Sequence, residues 1–307
     1  MNGYIALTDH DWFQFLREKN FDEINFWKPG GQAAFHPIDE LKPFIFILKK
    51  RYGNKICGFG FFASYSTLPL WLAWESFGEK NGAKNLSELN SLVSQYKQKS
   101  DVLNENIGCI MVAQPIFFND DEFIDGPNSW SQNIVSGKTY DLVKDVEGKR
   151  IWEECLVRTR SRRIQITTPI DLDAPRYAEA VLIKPRLGQG IFRVSVTEAY
   201  ERACAVSTEH SLPVLQAAHI IPYAENGSHE VSNGILLRSD IHRLFDLGYV
   251  TISPDHKFEV SPRLKAQYNN GRVYYDFHGK SIFLPKNTEK RPNPDHLSWH
   301  RENIFLQ

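Results

Sequence analysis

The sequence predicts an α+β protein with two domains. With 307 residues, the chain is long enough for two ordinary hydrophobic cores. Short apolar and aromatic segments separated by turn residues dominate residues 1–140, whereas residues 213–250 read as two strands, a loop and a helix. We therefore expect a small β-barrel-like domain over residues 1–140, a connecting segment over 141–184 and a second domain over 185–307.

Apolar periodicity and aromatic content place five elements in the first domain. They are a helix over 8–19, strands over 44–49 and 56–65, a helix over 86–96 and a strand over 107–118. From residue 120 to 141 the periodicity fades and turn residues accumulate. The first domain is therefore predicted to end within this stretch.

Capping, turn and strand signals predict the second domain. Ser195 and Glu198 have the spacing of a capping box, and Ser239 and Gly248 flank a further helix. The predicted elements are a helix over 195–205, strands over 215–221 and 235–237, a helix over 239–247, and two hairpins formed by 249–252 with 258–260 and by 272–277 with 280–284.

The composition is that of a globular protein, with 42% apolar and 24% charged residues. The four cysteines contain no C-x-x-C pair, which argues against a zinc ribbon or a disulfide scaffold and is typical of a reducing compartment. The N-terminus lacks the pattern of a signal peptide, and no apolar run could span a bilayer. We expect a cytoplasmic protein with no membrane partner.

The net charge of −1 provides no overall attraction to nucleic acid. Residues 1–140 carry 13 Lys/Arg and 16 Asp/Glu, a charge of −3, and residues 141–307 carry 23 and 21, a charge of +2. Any basic surface must therefore be local. This balance favours an enzyme that depends on a specific feature of its target over a tight non-specific binder.

Four polar side chains in the strand–loop–strand–helix segment suit hydrolytic chemistry. His242 and Asp246 are four residues apart on a predicted helix, so both project from one face and could bind one divalent ion. His219 lies on a different element, fourteen residues before Asn233, and a histidine can accept a proton from water near neutral pH. A metal on one side and a base on the other is what hydrolysis of a phosphodiester requires.

These residues carry a family resemblance. Residues 218–222 (AHIIP), 233–237 (NGILL) and 242–246 (HRLFD) resemble, in this order, the HNH endonucleases with their ββα-metal core, and restriction-type members most of all. A lone strand histidine is usually structural, and a lone His/Asp helix pair is usually a solvated one. The combination of all three segments indicates a nuclease.

The resemblance implies a role for each matching residue. It implies that His219 is the general base, that Asn233 holds the His219 ring in place, and that His242, with Asp246, faces a divalent metal, Mg²⁺ or Mn²⁺. Many members have a metal-binding Asp or His just before the base, and here that residue is Ala218. The full ligand set therefore stays open, with Asn233 or water as the candidates to complete it.

The first domain resembles the EVE domains of the PUA-like superfamily, notably those fused to HNH nucleases. The matching stretches are 25–31, the strand over 44–48, the GFGFF strand and 71–82 with its FGEKNG end. The resemblance implies a PUA-like β-barrel whose pocket accepts a flipped modified base, 5-methylcytosine or 5-hydroxymethylcytosine in double-stranded DNA. Such a pocket needs aromatic rings that stack on the base and polar groups that bond to its edge. The candidates are Trp27, Phe62, Tyr65 and Trp71 for stacking, and Asn25 and Ser64 for the polar contacts. The alternative is a structural role, because any single one of these aromatics is more often a core residue.

The densest basic cluster lies in residues 148–163. Basic side chains there, and one ahead of the second domain's core, are candidates for DNA phosphate contacts, with a solvated or structural role as the alternative. These candidates are Arg158, Arg160, Arg162, Arg163 and Arg193. Five histidines without a partner at ligand spacing are interpreted as surface residues: His229, His256, His278, His296 and His300.

Together these observations predict a restriction-type, metal-dependent endonuclease that recognises modified cytosine. Because one HNH site cuts one strand, a double-strand break would need a homodimer or two separate visits. Two alternatives remain open. One is an HNH endonuclease or nickase without modification dependence, and the other is a modified-base binding module with a degenerate nuclease, which Ala218 keeps in consideration.

Overall fold

A computed structural model describes residues 1–30, 35, 37–131, 133–161 and 187–307, without the side chains of residues 160 and 161. The described chain divides into two compact units, Met1–Gly188 and Gln189–Gln307. In both units helices and strands are mixed, which confirms the predicted α+β class. The described helices include none that is long and apolar enough to cross a membrane.

The first unit is built on one large sheet. Its strands are β1 (Asn2–Thr8), β2 (Glu23–Lys28), β3 (Pro43–Leu48), β4 (Lys55–Pro69), β5 (Asn106–Phe117), β6 (Ile124–Asp125) and β7 (Gly137–Asp141). They pair in the order β2-β5-β4-β3-β1-β7, and β6 pairs with β4. The pairing is antiparallel except between β1 and β3, which run parallel.

Within the described part of this unit, four helices accompany the sheet: α1 (His10–Arg17), α2 (Leu70–Phe77), α3 (Leu86–Lys97) and α4 (Val146–Ser161). One face of the sheet carries an aromatic cluster that includes Trp12 and Phe13 of α1. The other carries an aliphatic and aromatic cluster that includes Ile151 and Cys155 of α4. Both apolar faces are therefore covered by helices.

The predicted barrel does not close. Within the described ranges, β2 pairs with β5 and β7 pairs with β1, but these two edge strands do not pair with each other. Covering both faces with helices removes apolar surface from water without closure. Helix α4 lies within the segment that the sequence predicts as a connection from residue 141. It packs on the sheet as part of the first unit.

The second unit is a compact assembly of short elements. They are α5 (Gln189–Ala199), β8 (Leu215–His219), β9 (Gly234–Arg238), α6 (Ser239–Asp246), β10 (Val250–Ile252), β11 (Phe258–Val260), α7 (Pro262–Tyr268), α8 (Arg272–Tyr275) and α9 (Pro294–Asn303). β8 pairs with β9 and β10 with β11, both antiparallel. One apolar cluster joins α5, the paired strands β8 and β9, α6, and the paired strands β10 and β11.

Two sequence predictions fail in this unit. Helix α5 begins at Gln189, ahead of the predicted capping box, so Ser195 lies inside the helix. The segment predicted as a second hairpin forms the short helix α8 instead, and its other half makes one isolated bridge, between Lys257 and Ser281. The β10–β11 hairpin is observed as predicted.

His300 is in the core of the second unit and not on its surface, contrary to the prediction. Its ring is 2% exposed and stacks on Phe245 at 3.7 Å between ring centroids. Its Nε2 lies 3.2 Å from the Phe245 carbonyl, and its Nδ1 lies 2.9 Å from the Thr251 hydroxyl. The carbonyl can only accept, so Nε2 donates, and the neutral ring then accepts the Thr251 hydrogen at Nδ1.

Acidification should therefore destabilise the second unit. Burial lowers the pKa of His300 from its ordinary value of 6.5 to about 4. Between these values the unfolded chain takes up a proton that the folded chain does not bind, so the free energy of unfolding falls as the pH drops, by up to about 3 kcal/mol. Pulsed hydrogen exchange in urea, read on peptides covering β9, measures the loss between about pH 7.5, which is above this window, and about pH 4.5, which is inside it.

The matched control is His300→Gln, which retains an N–H for the Phe245 carbonyl but does not titrate. This variant is expected to be less stable at neutral pH and to lose less stability on acidification than the unsubstituted protein. Equal losses in both proteins would contradict the assignment, because every other histidine is common to the two.

Candidate active site

The candidate site lies on a ββα unit formed by β8, β9 and α6. β8 ends at His219, which pairs with the first residue of β9. Helix α6 buries Ile241 and Phe245 in the core beneath the hairpin. Because residues four apart share a helix face, His242 and Asp246 project together from the side of α6 that remains accessible.

The plane of the His219 ring is fixed by an aromatic stack. The ring lies on Phe192 of α5, with 3.8 Å between ring centroids and 12° between ring planes. Phe192 reaches this position because Gly234, opposite His219, has no side chain; a Cβ there would come within 2.9 Å of the Phe192 ring and 2.4 Å of Val196. The glycine is therefore required for the close approach that orders the ring.

His219 is uncharged at neutral pH. Burial, followed by the charges of His229 and His242, lowers its pKa from 6.5 to about 4. The neutral ring has one protonated and one unprotonated nitrogen. His219 can therefore accept a proton.

Asn233 acts on the backbone around the site and not directly on the His219 ring. Its side chain is fully buried, and its Nδ2 donates to the carbonyls of Ile221 (3.0 Å) and Ser228 (2.9 Å). Its Oδ1 accepts from the Ile221 N–H at 3.0 Å. Both amide hydrogens are used in these bonds, so Asn233 closes the loop that follows His219.

His242 and Asp246 form an oriented pair. The His242 Nε2 lies 3.5 Å from an Asp246 carboxylate oxygen, and the His242 Nδ1 lies 2.8 Å from Gln216 Oε1. Because the amide oxygen only accepts, Nδ1 carries the proton and Nε2 presents its lone pair toward Asp246. Burial lowers the pKa of His242, which favours this neutral form, while Asp246 acts in the opposite direction.

This pair fits a divalent cation. An ion with ligands at about 2.1 Å in octahedral geometry holds neighbouring donors about 3 Å apart, close to the 3.5 Å separation of the two atoms. Gln216 provides the outer hydrogen bond that typically orients a metal-binding histidine. Across the described residues no group of three or more His, Cys, Asp or Glu is arranged around one point, and Ala218 is buried in the core. Water and phosphate oxygens are candidates for the other ligands.

His229 belongs to the site, although the sequence placed it on the surface. Its Nδ1 lies 3.0 Å from the Nε2 of His219, and its ring stacks on Tyr223 at 4.8 Å. No sequence spacing indicates this contact, because His229 reaches the site through a loop that Asn233 closes. The loop Asn-Gly turn is the one local signal, and it predicts only that the chain reverses.

The structure describes two of the five arginines fully. Arg158 contacts the Glu122 carbonyl and donates to the Glu154 carbonyl at 3.0 Å, so its guanidinium is engaged within the first unit. Arg193 lies half-buried on α5. Arg160 lies in α4 without a described side chain, and the predictions for Arg162 and Arg163 fall outside the described residues.

The six predicted base-pocket residues do not come together. Asn25 and Trp27 point to one side of β2, where Asn25 Nδ2 donates to Asn81 Oδ1 at 2.8 Å and Trp27 Nε1 donates to the Asn81 carbonyl at 2.9 Å. Ser64 shares this side, since both it and Asn25 pair with Met111. Asn25 is fully buried.

Phe62 and Tyr65 lie on the opposite side of the sheet. Both pack beside Phe35, at 5.5 Å and 6.2 Å between ring centroids, and the Lys28 ammonium lies 4.7 Å from the centre of the Phe35 ring. Trp71 is half-buried in the first turn of α2. These residues therefore divide between the two faces of the sheet.

One protein-family model covers the residues of the ββα unit. Residues 204–253 match a protein-family model described as HNH endonuclease. None of the curated proteins matches the chain. Similar solved structures include two mutant forms of the ZmASCH protein from Zymomonas mobilis, each 8% identical over 49% of this chain and 96% or 94% of theirs, with TM-scores of 0.32 and 0.31. A modification-dependent TagI restriction endonuclease is 15% identical over 94% of this chain and 79% of its own, with a TM-score of 0.28. Residues 204–253 of the second unit thus form an HNH endonuclease domain.

Proposed function

We propose that this protein is a metal-dependent DNA endonuclease of restriction type, which recognises modified cytosine with its first unit and hydrolyses the phosphodiester backbone with its second. One observation carries the nuclease half of the proposal. The ββα unit presents an uncharged His219 beside the oriented pair of His242 and Asp246.

In this proposal His219 is the general base. It accepts a proton from a water molecule whose oxygen attacks the phosphorus, and the bond from phosphorus to the leaving oxygen breaks. The stack on Phe192 limits tilting of the His219 ring during this transfer. Proton transfer by a positioned side chain typically contributes about 10²- to 10⁴-fold to the rate.

His242 and Asp246 would hold the divalent ion, Mg²⁺ or Mn²⁺. When bound, the ion supplies positive charge that neutralises the phosphate and the leaving oxygen. Gln216 keeps the His242 lone pair directed at the ion by accepting from the opposite ring nitrogen. Arg193 on α5, the same helix that carries Phe192, is the remaining described candidate for a phosphate contact in this unit.

Recognition of a modified base is proposed for the aromatic side of the first unit's sheet. The resemblance of this unit to EVE domains supports it, as do Phe62, Tyr65 and the positively charged Lys28 around Phe35. Tyr65 is the partly exposed aromatic residue of this group, so it is our candidate to stack on a flipped 5-methylcytosine or 5-hydroxymethylcytosine.

Cleavage of one plasmid in unmodified, cytosine-methylated and hydroxymethylated forms tests both halves together. Each form is incubated with Mg²⁺, with Mn²⁺ and with chelator. We expect cutting of the modified forms alone, and none with chelator. Nicked circles would precede linear product, because one HNH site cuts one strand.

The other outcomes separate the alternatives. Equal cutting of all three plasmids would keep the nuclease and reject the modified-base reader. Binding of modified DNA without cutting under any condition would instead support a binding module with a degenerate nuclease, for which Ala218 is the motivating residue.

A further inference from the structure

His219 and His229 are in direct contact through their ring nitrogens. The 3.0 Å separation of His219 Nε2 and His229 Nδ1 is that of a hydrogen bond. The two ring centroids lie 5.1 Å apart with the planes at 60°, so one ring edge faces the other and the bond is directional. His219 makes no other side-chain hydrogen bond among the described residues.

Stacking alone does not determine whether a nitrogen or a carbon of the His219 ring faces the substrate. Contact with Phe192 fixes the plane of the ring, but a ring flipped by 180° about its Cβ–Cγ bond would stack equally well. The flip places Cδ2 where Nδ1 was and Cε1 where Nε2 was. A directional bond at one nitrogen is what distinguishes the two orientations, and His229 provides it.

The direction of this bond follows from the role of His219 as a base. If His229 donated to Nε2, the neutral His219 would carry its single proton on Nδ1 and could not accept another on its outward side. If His219 donates through Nε2, its Nδ1 keeps a free lone pair for the water. Only the second arrangement allows catalysis, and it requires Nδ1 of His229 to be unprotonated.

The loop that carries His229 is anchored by an aromatic stack and by a hydrogen bond to a buried side chain. The His229 ring stacks on Tyr223 with 8° between the planes. The carbonyl of Ser228, immediately before His229, accepts from the buried Asn233, whose side chain also binds Ile221 just after His219. Asn233 therefore ties together the two backbone segments that bear the two histidines.

We propose that His229 is a positioning residue that accepts a hydrogen bond from Nε2 of His219 and so directs the Nδ1 lone pair of His219 toward the attacking water. This role rests on the proposed nuclease function. When Nδ1 takes the proton, the Nε2–H···Nδ1 bond to His229 becomes charge-assisted and stronger, because His219 is then a cation. The bond thus stabilises the state formed during the reaction more than the resting state.

Two substitutions separate positioning from simple structural support. His229→Ala removes the acceptor, whereas His229→Asn places an amide oxygen near the position of Nδ1. We expect His229→Ala to lower kcat by roughly 10- to 100-fold with KM within about two-fold of normal, as for other partners that orient a reacting group. His229→Asn is expected to recover most of that loss, and His210→Ala, an exposed histidine of the same unit, to have no effect.

Nitrogen NMR of histidine-labelled protein gives a readout that does not require cleavage. The His219 resonances, identified by their loss in His219→Ala, should show a protonated Nε2 and an unprotonated Nδ1. They should show a mixture of both forms in His229→Ala, and the original pattern again in His229→Asn.

An unchanged His219 pattern in His229→Ala would overturn the proposal, and so would equal kcat losses in the Ala and Asn variants. If the unsubstituted protein cut no DNA, the nuclease function would fail first. The NMR comparison would still decide whether His229 sets the tautomer of His219.

Discussion

Replacing His219 with alanine is expected to lower kcat for DNA cleavage by about 10³-fold, within the range that a general base contributes. The His242 imidazole is committed, since its Nδ1 bonds Gln216 while its Nε2 faces Asp246. It is therefore not placed to replace His219 as the acceptor. DNA affinity should change little, because His219 is uncharged at neutral pH. Single-turnover cleavage of a nicked-circle substrate and a parallel binding titration measure the two quantities.

The alanine variant also removes a ring that packs on Phe192, so its fold needs a control. His219→Gln fills more of this space and still lacks an imidazole; it should be as inactive as the alanine variant, with the circular dichroism of the normal protein. His210→Ala tests the loss of an exposed histidine elsewhere in the unit. Cleavage at the normal rate by either His219 variant would mean that another group is the base.

The sequence predicted the ββα unit well because its signals are local. An apolar run ending at a proline, an Asn-Gly turn and an i, i+4 pair are each read within a few residues, and β8, β9 and α6 are found where they were expected. The spacing of His242 and Asp246 already fixes their common helix face. The family match over residues 204–253 agrees with this part of the interpretation.

The supporting residues were not predictable in the same way. Phe192, Gln216 and His229 meet His219 or His242 only through the tertiary fold, at separations of 10 to 27 residues along the chain. Nothing in their local sequence distinguishes them from ordinary core or loop residues. Gly234 carried the one usable signal, since a glycine at a strand start often marks a close approach.

The predicted base-pocket residues lie apart for a different reason. Side chains of a strand alternate between the two faces of a sheet, and β4 changes register between Phe62 and Ser64. Because an irregularity of this kind is not readable from composition, residues close in sequence were assigned to one pocket although they lie on two faces. Aromatic content identified the sheet but not the side that each ring occupies.

Substitution of Asp246 by asparagine should have the second-largest effect, a loss of roughly 100-fold in cleavage at low Mg²⁺ or Mn²⁺. The change keeps the size of the side chain and removes the negative charge that, with His242 Nε2 at 3.5 Å, forms the proposed cation site. A site with one fewer charge binds a divalent ion more weakly, so raising the metal concentration should restore part of the activity. Calorimetric titration of Mn²⁺ into the DNA-free protein measures the affinity independently of cleavage.

The matched control is Asp276→Asn, which removes the charge of an exposed aspartate at the end of α8. Both variants change the net charge equally, so a general electrostatic effect on DNA binding would appear in both. A weaker Mn²⁺ affinity in Asp246→Asn alone would locate the ion at the α6 pair. Equal affinity and equal cleavage in the two variants would show that Asp246 is a solvated partner of His242, and the ion would then have to be sought elsewhere.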